Sequence, residues 1–287
     1  LLKLLWERRD KTGIIYCTTR KDVESVCQLL RSRDIGATRY HAGLAERERQ
    51  ENQEDFIYDR ANVMVATNAF GMGIDKSNVS YVIHYSMPQS LEAYYQEAGR
   101  AGRDGAGAEC ILFYAPRDVY TAKWLVEHSS GESELTEEQE QKRIRQDLNR
   151  LDRMVDYCKT GLCLRGRILD YFGQEHPPRC GNCGNCDEKA LREETPAVAV
   201  PKKQERRSTP AGLLDALKAL RWDIAKKAGQ PAYIIFTNAS LEDMARKAPR
   251  TVEEFLKVTG VGTSKAQRYG EAFLERIREY INAHRED

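Results

Sequence analysis

The sequence predicts an α/β domain built on a parallel sheet, then a helical segment with a metal site, then a small all-α bundle. Three observations predict it. Short β-branched runs alternate with amphipathic stretches through residues 1–125; four of the eight cysteines crowd into residues 163–186; and from Ala211 onward apolar residues recur at helical spacing. A chain of 287 residues suits two or three domains. No apolar run is long enough to span a bilayer, and no secretory pattern opens the chain. The cysteine spacing then favours a metal site and a reducing cytoplasm, with disulfide pairing as the alternative. Lys and Arg total 45 against 44 Asp and Glu, and residues 211–287 hold 13 basic and 11 acidic residues. With no basic tail, any contact with nucleic acid has to come from individually placed groups.

In chain order, Leu1 to Trp6 reads as an amphipathic helix entered midway, without a methionine, so a longer parent protein is expected. Residues 13–17 form a buried strand. Residues 22–30 form a helix with Val23, Val26, Leu29 and Leu30 inward. A strand at 37–41, a helix at 46–56, and strands at 63–66 and 81–85 follow. Ser90 caps a helix starting at Leu91, and residues 109–114 close the set as a strand. Cys17, Cys27 and Cys110 read as small core residues.

Ligands of such sheets sit at the carboxyl ends of the strands, where the polar motifs fall. After 63–66 comes Thr67-Asn68-Ala69-Phe70-Gly71-Met72-Gly73-Ile74-Asp75. Its glycines permit close backbone approach, Thr67 offers a hydroxyl and an amide to a phosphate, and Asp75 can accept from a ribose hydroxyl. A plain strand-to-helix turn would use the same residues. After 37–40 comes His41-Ala42-Gly43-Leu44, where a lone histidine reads first as a local packing residue. Tyr94-Tyr95-Gln96-Glu97-Ala98-Gly99-Arg100-Ala101-Gly102-Arg103-Asp104-Gly105 places two arginines three residues apart at a helix end. On one face of a helical turn their guanidinium forks would converge on a polyphosphate.

Together with Ile15-Tyr16-Cys17, and in this order, these strings resemble the second RecA-like domain of the RecQ DNA helicases. The resemblance implies that Arg103 is an arginine finger for ATP bound on a partner domain, supported by Arg100 and Gln96, with Gly73 and Asp75 also at the nucleotide. It implies that His41, Gly43 and Thr67 line a single-stranded DNA track. The chain contains no G-x-x-x-x-G-K-[ST] and no DEAH-like Mg²⁺ motif. ATP and Mg²⁺ are thus shared with an absent first RecA-like domain, and this chain alone should be inactive.

Residues 126–190 read as a helical metal-binding subdomain. A charged helix spans 135–159, with apolar Ile144, Leu148, Leu151 and Val155. Cys163 follows, and after sixteen intervening residues Cys180-Gly181-Asn182-Cys183-Gly184-Asn185-Cys186 overlaps two C-x-x-C turns. Four thiolates leave no open position, so a structural zinc is expected rather than a catalytic one. Cys158 and His176 compete as ligands on spacing alone. The family resemblance, through Cys163-Leu164-Arg165 and Leu169-Asp170-Tyr171-Phe172-Gly173, implies Cys163 as first ligand beside Cys180, Cys183 and Cys186; His176, on its Gln-Glu-His-Pro-Pro loop, reads as exposed.

Residues 191–210 carry prolines and charges without an apolar face, as a flexible linker does. The winged-helix domain that the RecQ plan places there does not fit in that length. In 211–287 a stripe of Leu213, Leu214, Leu217, Leu220 and Ile224 opens an all-helical domain. Ser240 and Thr251 are expected N-caps, and residues 264–283 the last helix, with Ala266, Tyr269, Phe273, Ile277 and Ile281 inward. Pro231 to Phe236 and Thr259 to Lys265 resemble an HRDC domain. Tyr233, Lys265 and Arg268 are its candidates for single-strand contact, against a bundle that binds only protein. The resemblance as a whole implies a C-terminal part of a 3′–5′ ATP-dependent DNA helicase acting on single-stranded and forked DNA, in the cytoplasm at the nucleoid or in a nucleus. An RNA helicase of the same superfamily and a non-catalytic nucleic-acid scaffold are the rival readings.

Overall fold

The computed structural model describes residues 1–71, 76–128, 136–186 and 211–283. Helix α1 (Leu2–Trp6) precedes β1 (Gly13–Tyr16), α2 (Arg20–Arg31), β2 (Ala37–Tyr40), α3 (Glu46–Ile57), β3 (Val63–Ala66), β4 (Tyr81–His84), α4 (Leu91–Ala98) and β5 (Glu109–Leu112). The five strands lie in the order β2-β3-β1-β4-β5. β3 pairs in parallel with β1 on one side and β2 on the other, aligning Gly13 and Ala37 with Val63. Every residue of β1, β3 and β4 is buried, as a sheet covered on both faces requires. Thr19 caps α2 by accepting the Asp22 amide, and the helix buries Val23, Val26, Cys27 and Leu30. Leu29 is 40% exposed: the helical period passes the inward position to Cys27. Cys17 is buried as expected, but Cys110 is exposed, because β5 is an edge strand whose first two residues face outward.

The chain divides into two compact units, one of residues 1–82, 100–110 and 203–287, the other of 83–99 and 111–202. In the second unit, α5 (Pro116–His128), α6 (Glu137–Lys159) and α7 (Leu164–Tyr171) join α4. Met87, Leu91, Tyr94, Ala122, Leu151, Met154 and Tyr157 form its core. Helix α6 starts on a full capping box between Thr136 and Gln139. Its buried residues are Leu151, Met154 and Tyr157, while Ile144, Leu148 and Val155 are half-buried. No described helix is long and apolar enough to cross a membrane.

The first unit also holds the bundle: α8 (Ala211–Ala228), α9 (Ala232–Ile235), α10 (Asn238–Lys247), α11 (Val252–Phe255) and α12 (Thr263–Ala283). Leu213, Leu217, Phe236, Met244, Phe255, Phe273 and Ile277 build the centre of its core, and Leu214, Leu220, Ile224, Tyr269 and Ile281 are half-buried around it. Thr251 caps α11 as expected. The cap of α10 is Thr237, not Ser240: the Thr237 hydroxyl accepts the Ser240 amide, so Ser240 already lies inside the first turn.

Candidate functional site

The motif residues gather where the strands end. After β3 the Thr67 amide donates to Tyr40 O at 3.1 Å and the Phe70 amide to Thr67 O at 3.0 Å, so the chain turns sharply and Thr67 is buried. Gly71 follows at φ +149, and a Cβ there would lie 2.1 Å from Nη2 of Arg100. Gly73 and Asp75 lie outside the described residues.

The two arginines do not share a helical face. Helix α4 stops at Ala98, Gly99 caps it, and Gly102 at φ +72 sends its amide to Val79 O at 2.9 Å. A chain that turns here cannot hold positions i and i+3 on one side. Arg100 points inward, 8% exposed against Gly71, and its Nε has no hydrogen-bond partner among the described residues. Arg103 is exposed beyond the turn, and Gln96 is exposed on α4.

His41 is buried, with Nε2 2.8 Å from Glu24 Oε1, and its Nδ1 accepts the Gly43 amide at 3.2 Å. That network assigns the ring proton to Nε2. Arg39 donates to the same Glu24 oxygen at 2.9 Å. Burial alone would raise the Glu24 carboxyl, but His41 and Arg39 hold it below its ordinary value. At Gly43 a Cβ would meet Arg20 at 3.1 Å and His41 Nδ1 at 3.2 Å. A buried pair escaped the sequence reading: His84 Nε2 lies 2.8 Å from Glu97 Oε2. Glu97 follows Leu91 and Tyr94 at three-residue steps, and that apolar stripe was the available signal.

The sulfurs of Cys163, Cys180, Cys183 and Cys186 all lie within 4.8 Å of one another, with 4.0 Å between Cys163 and Cys183. A tetrahedral zinc with bonds of about 2.3 Å needs sulfurs roughly 3.8 Å apart. The Gly166 amide donates to Cys163 Sγ at 3.3 Å and the Asn182 amide to Cys180 Sγ at 3.4 Å, supporting thiolates. Asn185 ties the cluster to the α6–α7 connection through Thr160 O at 2.8 Å and Leu162 O at 2.7 Å. Burial would raise the Cys186 thiol, but backbone amides and neighbouring sulfurs bring it down to about 6. The four residues fit a structural zinc. Cys158 instead packs against the apolar core of its unit. His176 lies on an exposed loop but is itself half-buried: it bonds Asp170 Oδ1 at 2.9 Å and fills the space a Cβ of Gly166 would take.

In the bundle, Tyr233 is half-buried with Lys76 Nζ 5.7 Å from its ring centre. Lys265 is half-buried on α12, 5.8 Å from the Phe236 ring, and burial lowers its ammonium pKa. Arg268, one turn later, is exposed over Tyr269.

Three family descriptions match this architecture in sequence: the helicase conserved C-terminal domain over residues 1–105, RecQ zinc-binding over 116–187, and the HRDC domain over 211–277. The α/β lobe and its motifs define a superfamily helicase C-terminal domain. The zinc cluster and the bundle narrow that class: the chain belongs to the RecQ family, as its C-terminal portion. It is 32% identical to the ATP-dependent DNA helicase RecQ of Bacillus subtilis, covering 95% of this chain and 61% of that protein. The RecQ-like DNA helicase BLM of Xenopus laevis is 40% identical over 62% of this chain and 13% of its own length. Among solved structures, the D. radiodurans RecQ HRDC domain 3 is 39% identical over 26% of this chain and 97% of its own, with a TM-score of 0.25. The chain spans about three-fifths of the length of the bacterial relatives it matches. The B. subtilis alignment covers 367 positions against 95% of 287 residues, so about ninety positions of that relative have no counterpart here.

Proposed function

We propose that this chain is the C-terminal part of an ATP-dependent 3′–5′ DNA helicase that works on single-stranded and forked DNA. One observation carries the proposal: Arg103 stands exposed on a glycine-hinged turn anchored to Val79, in the order of domains that defines the RecQ family. As a finger it would enter a nucleotide site on a first RecA-like domain and neutralise charge on the transferring phosphoryl group, an effect of about 10³ to 10⁵-fold where such fingers act. ATP and Mg²⁺ supply the phosphoanhydride and the divalent charge on that partner domain. Gln96 lies exposed on α4, near in sequence to the finger. Arg100 acts as a positioning residue that seats Gly71, in the same motif as Gly73 and Asp75, the further nucleotide candidates.

The DNA track runs over Thr67 and the turn from His41 to Gly43. His41 holds this turn through Glu24 and accepts the Gly43 amide, and the Arg20 side chain lies beside Gly43 to meet a phosphate there. The zinc is structural. Tyr233, Lys265 and Arg268 give the bundle its single-strand contacts. Only 23 residues separate the zinc and HRDC matches, so strand separation relies on elements other than a winged helix.

The test is Arg103→Ala in the full-length enzyme. DNA-stimulated ATP hydrolysis should fall by about 10³-fold or more, with nucleotide binding retained. Normal turnover refutes the finger, and equal unwinding of matched RNA and DNA duplexes would favour the RNA-helicase reading.

A further inference from the structure

Three residues of the α/β lobe precede strands. Thr12 stands before β1, Asp59 ends the turn after α3 and before β3, and Lys76 lies ahead of β4. They mark the amino-terminal edge of the sheet, opposite the strand ends that carry His41 and Thr67. The helical bundle is seated on that edge. Asn238 Nδ2 donates to Thr12 Oγ1 at 3.2 Å, and Arg221 Nη2 to Asp59 Oδ2 at 2.8 Å. Lys76 Nζ bonds the other Asp59 oxygen at 2.6 Å and lies between the rings of Phe56 and Tyr233, 5.1 and 5.7 Å from their centres. The side chains of Lys76, Arg221 and Asp59 are 0%, 3% and 12% exposed.

The geometry points to a receptor for the chain's own bundle: the amino-terminal edge of the motor sheet, latched by Asp59 between Lys76 and Arg221. Occupation of this seat and single-strand contact through Tyr233 are mutually exclusive. The second statement rests on the reading of Tyr233 as a DNA contact; the seat itself does not.

The seat depends on charge. Asp59 and Lys76 both belong to the lobe and form a neutral pair without the bundle. Docking adds Arg221, and among the described residues Asp59 is the only carboxylate paired with either cation. Removing that carboxylate leaves two cations facing each other out of water, the situation that makes breaking a buried pair strongly unfavourable. The seat is therefore switchable at one atom group. Arg221 also donates Nη1 to Phe236 O at 2.8 Å, orienting its fork from within the bundle. Tyr233, three residues before Phe236, turns its ring under Lys76 and away from the outer surface of the bundle.

The test uses the 287-residue chain with zinc. Asp59→Asn removes the charge and suits the left-handed backbone at φ +59; Arg221→Gln attacks the seat from the bundle side. Solution scattering should show a larger radius of gyration in both variants, with no further growth in the double variant. Exchange protection of the β3 amides should be unchanged, which separates release from unfolding. Binding of a fluorescent oligo(dT) should tighten about tenfold on release if the seat is nine-tenths occupied, and adding Tyr233→Ala should abolish the gain. An unchanged radius in both variants overturns the seat. Release without tighter binding overturns the exclusivity while the seat stands. Loss of affinity from Tyr233→Ala equal in parent and released chains means that Tyr233 meets DNA while docked, which also overturns exclusivity; no loss in either means that Tyr233 is not a DNA contact.

Discussion

Gly71→Ala isolates what Arg100 does. Gly71 has φ +149, where an L side chain is strained by about 1 to 3 kcal/mol. The new methyl would lie 2.1 Å from Nη2 and 2.5 Å from Cζ of Arg100. An exposed arginine would swing aside at little cost, but this one is 8% exposed. Forcing it to move adds about 1 to 3 kcal/mol of overpacking. The single variant should therefore lose roughly 2 to 6 kcal/mol of lobe stability. Because the chain has two units and is not expected to unfold in one step, native-state hydrogen exchange of the β3 amides is the suitable assay. In Gly71→Ala/Arg100→Ala the steric part disappears and the backbone part stays, so the double variant should be less destabilised than the sum of the singles by about 1 to 3 kcal/mol. A Gly71→Ala lobe within about 0.5 kcal/mol of the parent, or simple additivity, would refute the claim that Arg100 seats this turn.

Chelating zinc from the 287-residue chain should expose four reactive thiols and remove exchange protection from α7 and residues 180–186, while the bundle amides stay protected. Exchange mass spectrometry with thiol titration reads both. At Asp243, burial would raise the carboxyl, but Lys247, the Thr259 amide and Arg246 hold it well below its ordinary value. A depressed folded pKa gives stability that is present above the unfolded value of about 3.9 and lost as pH falls toward the folded one. Bundle melting should thus be flat in this group's contribution from pH 7 to about 5 and decline below about 4; Asp243→Asn should melt lower at pH 7 and lose that part of the decline. Arg103→Lys in the full-length enzyme keeps the charge but loses the planar fork, so steady-state ATP hydrolysis should stay far below the parent rate; full activity would mean that charge alone suffices.

The sheet was legible because its strands are short β-branched runs with glycine and polar breaks. Each sequence-based strand differs from the observed one by at most two terminal residues. The zinc ligands were legible in type and spacing, although choosing Cys163 over Cys158 needed the family resemblance or the folded core against which Cys158 packs. The arginine pair was misplaced because a three-residue spacing means convergence only while a helix lasts. Here the helix has already ended at Gly99, and Gly102 bends the chain between the two positions. Asp59, Lys76 and Arg221 were invisible for a different reason. Arg221 and Asp59 are 162 residues apart, and each alone looks like an ordinary surface charge. No local pattern marks a charge whose counter-ion comes from another domain.

The two edges of the sheet explain how one small lobe can serve two kinds of contact. Residues that follow strands, Thr67 and His41, sit on turns fixed by the neighbouring strand: the Thr67 amide is bonded to Tyr40 O, and the Gly43 amide to the His41 ring. Residues that precede strands, Thr12, Asp59 and Lys76, hold the bundle. The strands between are four residues long, or roughly 13 Å at about 3.3 Å per residue. That distance exceeds the Debye length of about 8 Å at physiological salt. The latch is buried and therefore screened much less, so a phosphate placed at the far edge would still act on it weakly through the protein. Displacement of the chain offers a second route between the two edges. The connection from Thr67 to Lys76 joins one edge to the other in nine residues, against eight from Asp59 to Thr67 through β3, and Gly71, braced by Arg100, stands on it. Arg100, buried against Gly71, braces the described start of that connection, which gives it a reason to differ so completely from exposed Arg103.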